Sequence, residues 1–294
     1  MSGWRMVVLL GCLLTPGMLA AQSVVSHDGS AKLLMCSGLP CVEVVVDGDK
    51  KLHFAIDTGN PHSTVDVDLV RDEGLDTAPY VGRDGKTSTT LKTSAIPSVK
   101  AGTVEFKDLP VVVAHLQHLV AGDQMPEVDG TLGYEAFQGK TLQMDLKKNT
   151  LQVSSGSGCS GGTLALIKFG NAGPPIVTST GFSVNGKPVV AQVDTLYAGS
   201  MVVYPDAVDK LGLTDAAKTK VREHFAYTDG GVDMLKSTAK EEFDGKPLGG
   251  DQSVYFATPE VHTPDGLFEA TVGIKLLTGR VLTFDFARSC FGVS

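Results

Sequence analysis

Apolar residues in this chain fall in short, Val-rich runs separated by Gly-containing turns. Val44-Val45-Val46 leads through Asp47-Gly48 to Leu52-His53-Phe54-Ala55-Ile56 and then to Asp57-Thr58. In the second half Phe182-Ser183-Val184 leads through Asn185-Gly186 to Val189-Val190-Ala191-Gln192-Val193 and then to Asp194-Thr195. Asp-Gly and Asn-Gly between apolar runs are hairpin signals, because a tight two-residue turn needs φ > 0. Each predicted hairpin therefore delivers an Asp-Thr pair at the end of its second strand. No long helical pattern is present. Two short helices are predicted, Leu69 to Glu73 and Ala207 to Leu211, each stopped by a glycine (Gly74 and Gly212) just past its end.

These parallels belong to a twofold repeat. Thr131-Leu132-Gly133-Tyr134 matches Thr271-Val272-Gly273-Ile274, and Gly139, Leu142 and Asp145 match Gly279, Leu282 and Asp285 without a gap. The same elements in the same order twice imply two homologous, mainly β lobes, spanning 22–154 and 163–294. The Ser/Gly-rich stretch at 155–162 joins them.

Composition narrows the class. The chain has 294 residues, 42% of them hydrophobic, enough for a sizeable core and against general disorder. Its 34 glycines against one Trp suit strands and tight turns. A net charge of -8 without a long basic run argues against a nucleic-acid partner. Arg5, the apolar stretch Met6 to Leu14 and the small-residue zone Met18-Leu19-Ala20-Ala21 read as an export signal over 1–21. Pro16 and Gly17 interrupt a run already too short to span a bilayer. Leu9-Leu10-Gly11-Cys12 also resembles a lipidation box, a minor alternative that would anchor the chain at Cys12. Without the signal the expectation is a secreted or periplasmic monomer with no membrane contact.

Four cysteines then remain, and three pairings are open to them. Cys36 and Cys41 flank the turn Ser-Gly-Leu-Pro, which favours a local bridge and leaves Cys159 for Cys290. The linker carries two decoys: Gly158 to Gly162 fits G-x-S-x-G, and Gly156 to Gly161 fits G-x-G-x-x-G. Both chemistries need a helix straight after the glycines. Thr163-Leu164-Ala165-Leu166-Ile167 reads as a strand instead. His115 and His118 lack a third metal ligand and read as loop histidines, and no metal site is expected. His62 reads as an exposed loop residue.

Asp57-Thr58-Gly59 gains weight from its copy at Asp194-Thr195. Two lobes related by a pseudo-dyad would bring these carboxylates together, and two carboxylates at about 3 Å cannot both ionise. The pair would share a proton, one partner taking a proton from water while the other donates to a carbonyl oxygen. Phe54-Ala55-Ile56-Asp57-Thr58-Gly59, followed by Asp129-Gly130-Thr131-Leu132-Gly133-Tyr134-Glu135-Ala136-Phe137, resembles the pepsin- and retropepsin-like aspartic peptidases, most of all a bacterial, single-chain, two-lobed branch. Arg280-Val281-Leu282-Thr283-Phe284-Asp285-Phe286 is similar in the same way. The resemblance covers about 38–154 and 178–292. It implies two closed β lobes with a cleft between them, a polypeptide substrate and no cofactor. It also implies catalytic positions at Asp57 and Asp194, a cross-brace from Thr58 and Thr195, and glycines Gly133 and Gly273 over the Asp loops. A hairpin flap is implied as well, for which Tyr80 and Tyr227 are candidates.

One departure stands out: the second motif is Asp194-Thr195-Leu196, with Leu where the family has Gly. Either the loop tolerates Leu196, which would then line the cleft, or the second site is impaired and the chain is a non-catalytic peptide- or protein-binding module.

Overall fold

The computed structural model describes residues 25–294 except 47, 49, 82–86, 117–127, 157, 160, 168–175, 224–231, 251 and 258–266. The predicted export segment with Cys12, as well as Tyr227 and His118, lies outside the described residues.

The first half forms β1 (Val25–Ser26), β2 (Gly29–Cys36), β3 (Leu39–Val46), β4 (Lys50–Ile56) and β5 (Ser63–Asp66). Helix α1 (Val67–Asp72) follows, then β6 (Ala78–Val81), β7 (Thr87–Ala101), β8 (Val104–Ala114), β9 (Gly130–Leu132), β10 (Thr141–Asp145) and β11 (Thr150–Ser154). Alternation drives the strands: on β3, Val42, Val44 and Val46 are buried while Glu43 faces out. Six strands close a ring in the order β3, β4, β9, β5, β8, β7 and back to β3. α1 starts at Val67, two residues before its predicted start. The Asp66 carboxylate caps it by accepting from the Asp68 N–H at 2.9 Å.

The second half forms β12 (Leu164–Ile167), β13 (Ile176–Val184), β14 (Lys187–Val193), β15 (Met201–Val203) and the single-turn α2 (Pro205–Val208). Then come β16 (Thr219–Glu223), β17 (Val232–Thr238), β18 (Glu241–Phe243), β19 (Lys246–Pro247) and β20 (Ser253–Phe256), and finally β21 (Ala270–Val272), β22 (Val281–Asp285) and β23 (Cys290–Val293). The path β14, β21, β15, β20, β17 repeats β4, β9, β5, β8, β7, with the same parallel and antiparallel senses. The closing segment differs between the lobes. In the first lobe the 15-residue β7 runs on to pair Val99 with Val46. In the second the run breaks after Thr238, and the new strand β18 pairs Glu241 with Val184. Gln252 spans the break. Its Oε1 accepts from the Glu241 N–H at 2.9 Å, and its backbone carbonyl accepts from the Ala239 N–H at 3.2 Å. The Asn185 N–H donates to the Lys240 carbonyl at 2.8 Å, so backbone bonds are kept at both 239 and 240 and the second closing segment is kinked rather than cut.

β10 and β22 join the halves in an antiparallel ladder centred on Gln143 and Thr283, positions equivalent in the repeat. The Gln143 Nε2 donates to the Thr283 Oγ1 at 3.3 Å. A pseudo-twofold axis therefore passes between them. Cys36 is bonded to Cys41 and Cys159 to Cys290, the pairing favoured by the turn at 37–40. β12, and no helix, follows the linker glycines, so neither decoy has the geometry its chemistry needs. Among the described residues no helix is long and apolar enough to cross a membrane.

Candidate active site

The two Asp loops begin where β4 and β14 run out beside β9 and β21. The Asp57 N–H donates to the Leu132 carbonyl at 3.0 Å, and the Asp194 N–H to the Val272 carbonyl at 2.9 Å. Each loop then passes under the glycine that follows the neighbouring strand. A Cβ at Gly133 would lie 2.9 Å from the Asn60 carbonyl oxygen and closer still to the backbone of His62. A Cβ at Gly273 would lie 2.5 Å from the Tyr197 carbonyl oxygen. No side chain fits at either position. The residues beyond the glycines pin the loops: the N–H groups of Tyr134 and Ile274 donate to the carbonyls of Asn60 and Tyr197 at 3.0 and 2.9 Å.

Across the axis the two threonines exchange bonds. The Thr58 N–H donates to the Thr195 Oγ1 at 3.1 Å, and the Thr195 N–H to the Thr58 Oγ1 at 3.2 Å. Each hydroxyl then donates to the strand carbonyl of the opposite lobe: Thr58 to Val193 at 2.7 Å, Thr195 to Ile56 at 2.5 Å. Both threonines are almost fully buried, so these bonds are made without competition from water. This brace carries the Asp loops towards each other. A Cβ on Gly59 would lie 2.5 and 2.6 Å from the Asp194 carboxylate oxygens, so the second carboxylate rests against the first motif's glycine.

The loops are not identical. The Asp57 Oδ1 accepts from the Asn60 N–H at 3.0 Å, three residues on, whereas the Asp194 Oδ1 accepts from the Leu196 N–H at 2.9 Å, two residues on. Leu196 does not line the cleft. It is 3% exposed, packs into the main core, and is not among the non-Gly residues with positive φ. The structure therefore corrects the expectation that a tolerated Leu196 would face substrate: its N–H serves the carboxylate while its side chain points away. Tyr197 fills the space beneath the loop, its ring pressed against Gly199 and Gly273.

Burial raises the Asp194 carboxyl to about 6 from the ordinary 3.8, against the opposing pull of the Leu196 and Tyr197 N–H groups. The advantage of a raised carboxyl pKa is complete below 3.8 and is lost as pH rises through about 6. Asp194→Asn should therefore melt later than the parent at pH 7, by on the order of 2 kcal/mol, and the gain should vanish near pH 4. Thermal or urea melts at the two pH values measure this; a constant difference would place its origin elsewhere than in the carboxyl.

His62 is half-buried rather than exposed. Its Nδ1 lies 3.1 Å from the Glu135 carboxylate, and its ring meets Tyr80 edge-on at 6.0 Å between centroids. Tyr80 thus sits beside the first Asp loop, on β6, which pairs with β7 through Ala78, Pro79 and Val81. Sequence reasoning missed a further group. Gln192 reaches from β14 to the first Asp loop, its Nε2 donating to the Gly59 carbonyl at 3.0 Å. Behind it stand Thr271 and Tyr204, whose hydroxyls lie 3.1 Å apart. The Tyr204 hydroxyl is raised by burial and further by the Asp194 charge, against a lowering from Thr271. The one available signal was the alternation along β14, which places Gln192 on the same face as Asp194.

A two-lobed, mainly β chain with paired Asp-Thr loops on a pseudo-dyad has the aspartic peptidase-like fold. Residues 42–136 match the aspartyl protease family model, a stretch that holds the first Asp loop and Gly133 but stops short of Asp194. The whole chain is similar to basic 7S globulin from soybean, with a TM-score of 0.50 and 11% identity over 92% of this chain and 95% of that one. At that identity the likeness speaks for fold alone. No curated protein matches the chain.

Proposed function

We propose that the chain is an exported aspartic-type endopeptidase, with lobes 22–154 and 163–294 joined by 155–162, acting on polypeptide held between them. The observation that carries this is the reciprocal threonine brace, which sets the Asp194 carboxylate against Gly59 and beside the Asp57 loop. Asp194, raised to about 6, is the partner that keeps a proton in mild acid. Asp57 is the base. A water between them gives a proton to Asp57 as its oxygen attacks the peptide carbonyl carbon, and Asp194 donates to the carbonyl oxygen. Collapse of the resulting diol breaks the C–N bond as Asp57 gives its proton to the leaving nitrogen and a diol hydroxyl returns one to Asp194. Two disulfides are compatible with an oxidising, extracellular setting. The binding-module alternative rested on Leu196, and its core placement with the N–H bond kept supports the catalytic reading.

The test is incubation of the chain, prepared without 1–21, with a denatured protein at pH 4 and pH 7, with and without a statine inhibitor. Inhibitor-sensitive cleavage at pH 4 is expected. Inhibitor binding without cleavage at either pH would favour the binding module.

A further inference from the structure

One carbonyl sets the direction of a hydrogen-bond chain between the lobes. The Gly59 oxygen can only accept, so the Gln192 Nε2 faces it at 3.0 Å and the Oε1 faces Thr271. The Thr271 hydroxyl then gives its hydrogen to that Oε1 at 3.3 Å, and the Tyr204 hydroxyl donates to Thr271 at 3.1 Å. Each hydroxyl has an assigned acceptor. The first lobe has no counterpart, because the position two before Asp57 is the buried Ala55. The tether is therefore one-sided, and its target is the residue against which the Asp194 carboxylate rests. Glycine has the freest backbone of any residue, so the Gly59 peptide depends on neighbours for its orientation.

Resting on the peptidase reading above, we infer that Gln192 is a positioning residue of the site: its carboxamide fixes the Gly59 peptide, and through it the surface that holds the Asp194 carboxylate. A carboxylic acid at 192 reproduces the same pattern, donating to Gly59 and accepting from Thr271. A carboxylate only accepts, and it would oppose the Gly59 oxygen. Gln192→Glu should therefore work like the parent in acid and fail once it ionises, whereas Gln192→Met should fail at every pH.

The experiment reads two signals on the full chain and both variants. One is kcat and KM on a peptide between pH 3.5 and 6. The other is the Gly59 carbonyl carbon in protein labelled with 13C at glycine carbonyls and 15N at Asn. Only Gly59-Asn60 and Gly170-Asn171 give cross-peaks in that sample. Gln192→Met should lower kcat roughly 10- to 100-fold, with KM within about threefold, since small misplacements of reacting groups cost that much. One of the two carbonyl signals should move. Gln192→Glu should match the parent at pH 3.5 and the Met variant at pH 6 in both signals. An unmoved carbonyl signal in the Met variant, an unmoved kcat, or a Glu variant that follows the parent throughout would each overturn the assignment. A parent without turnover would defeat the peptidase reading alone, and the carbonyl signal would still decide whether Gln192 holds Gly59.

Discussion

Asp57→Asn and Asp194→Asn should each cut turnover by on the order of 10³-fold or more, since one carboxylate cannot serve as both base and acid. The double variant should be little worse than either single one, because the two act as a unit. The reason lies in the geometry. Each Asp is fixed by backbone N–H groups of its own loop, and the loops are locked to each other by Thr58 and Thr195, so neither carboxylate can swing to cover for the other. The parent should give a bell-shaped pH profile whose basic limb falls near 6, where the pair loses its shared proton. Both limbs belong to the pair rather than to one residue. The measurement is kcat/KM against pH for the parent and both variants, with circular dichroism to show that the folds match. A fully active Asp194→Asn beside a dead Asp57→Asn would end the two-carboxylate mechanism.

The fold was legible because its signals are local and duplicated. Asn185-Gly186, both at positive φ, turns β13 into β14, and the gap-free match of 131–145 with 271–285 reappears as the β10–β22 ladder centred on Gln143 and Thr283. The glycines over the Asp loops were legible for the same reason. What the sequence hid is side-chain direction in irregular backbone. Periodicity places residues on strands, but Leu196 sits in a loop where no period applies, so an apolar residue beside a cleft could face either way. The loop turns it into the core. His62 was misread for a related reason: its partners Glu135 and Tyr80 are distant in sequence and meet it only through the closed first ring. The kink at 239–240 in the second lobe was also invisible, because it is braced by Gln252, whose partners are set by tertiary structure alone.

That inward turn of Leu196 reverses what a motif comparison predicts for Leu196→Gly. By pattern the change restores the family's glycine and should be harmless or helpful. By packing it deletes a side chain that is 3% exposed within the main core. Emptying a buried Leu site costs about 2–5 kcal/mol, and glycine adds roughly 0.5–1 kcal/mol of backbone entropy. For a chain of this size each kcal/mol moves the melting point by roughly 2–4 °C, so a loss of roughly 5–24 °C is expected. Turnover at 20 °C should stay within a few-fold of the parent, since glycine keeps the N–H that the Asp194 Oδ1 accepts. Gly59→Ala is the opposite case. It adds a single carbon, but that carbon would stand 2.5 and 2.6 Å from the Asp194 carboxylate oxygens. The carboxylate is held by the Leu196 N–H and cannot yield without breaking that bond. Turnover should fall about 100-fold or more, the scale on which a misplaced reacting group costs rate. The two variants therefore separate the readouts, one losing stability with its chemistry intact and the other losing chemistry first. Melting curves and kcat measured side by side check this. A Leu196→Gly protein as stable as the parent would show that Leu196 does not pack in the core.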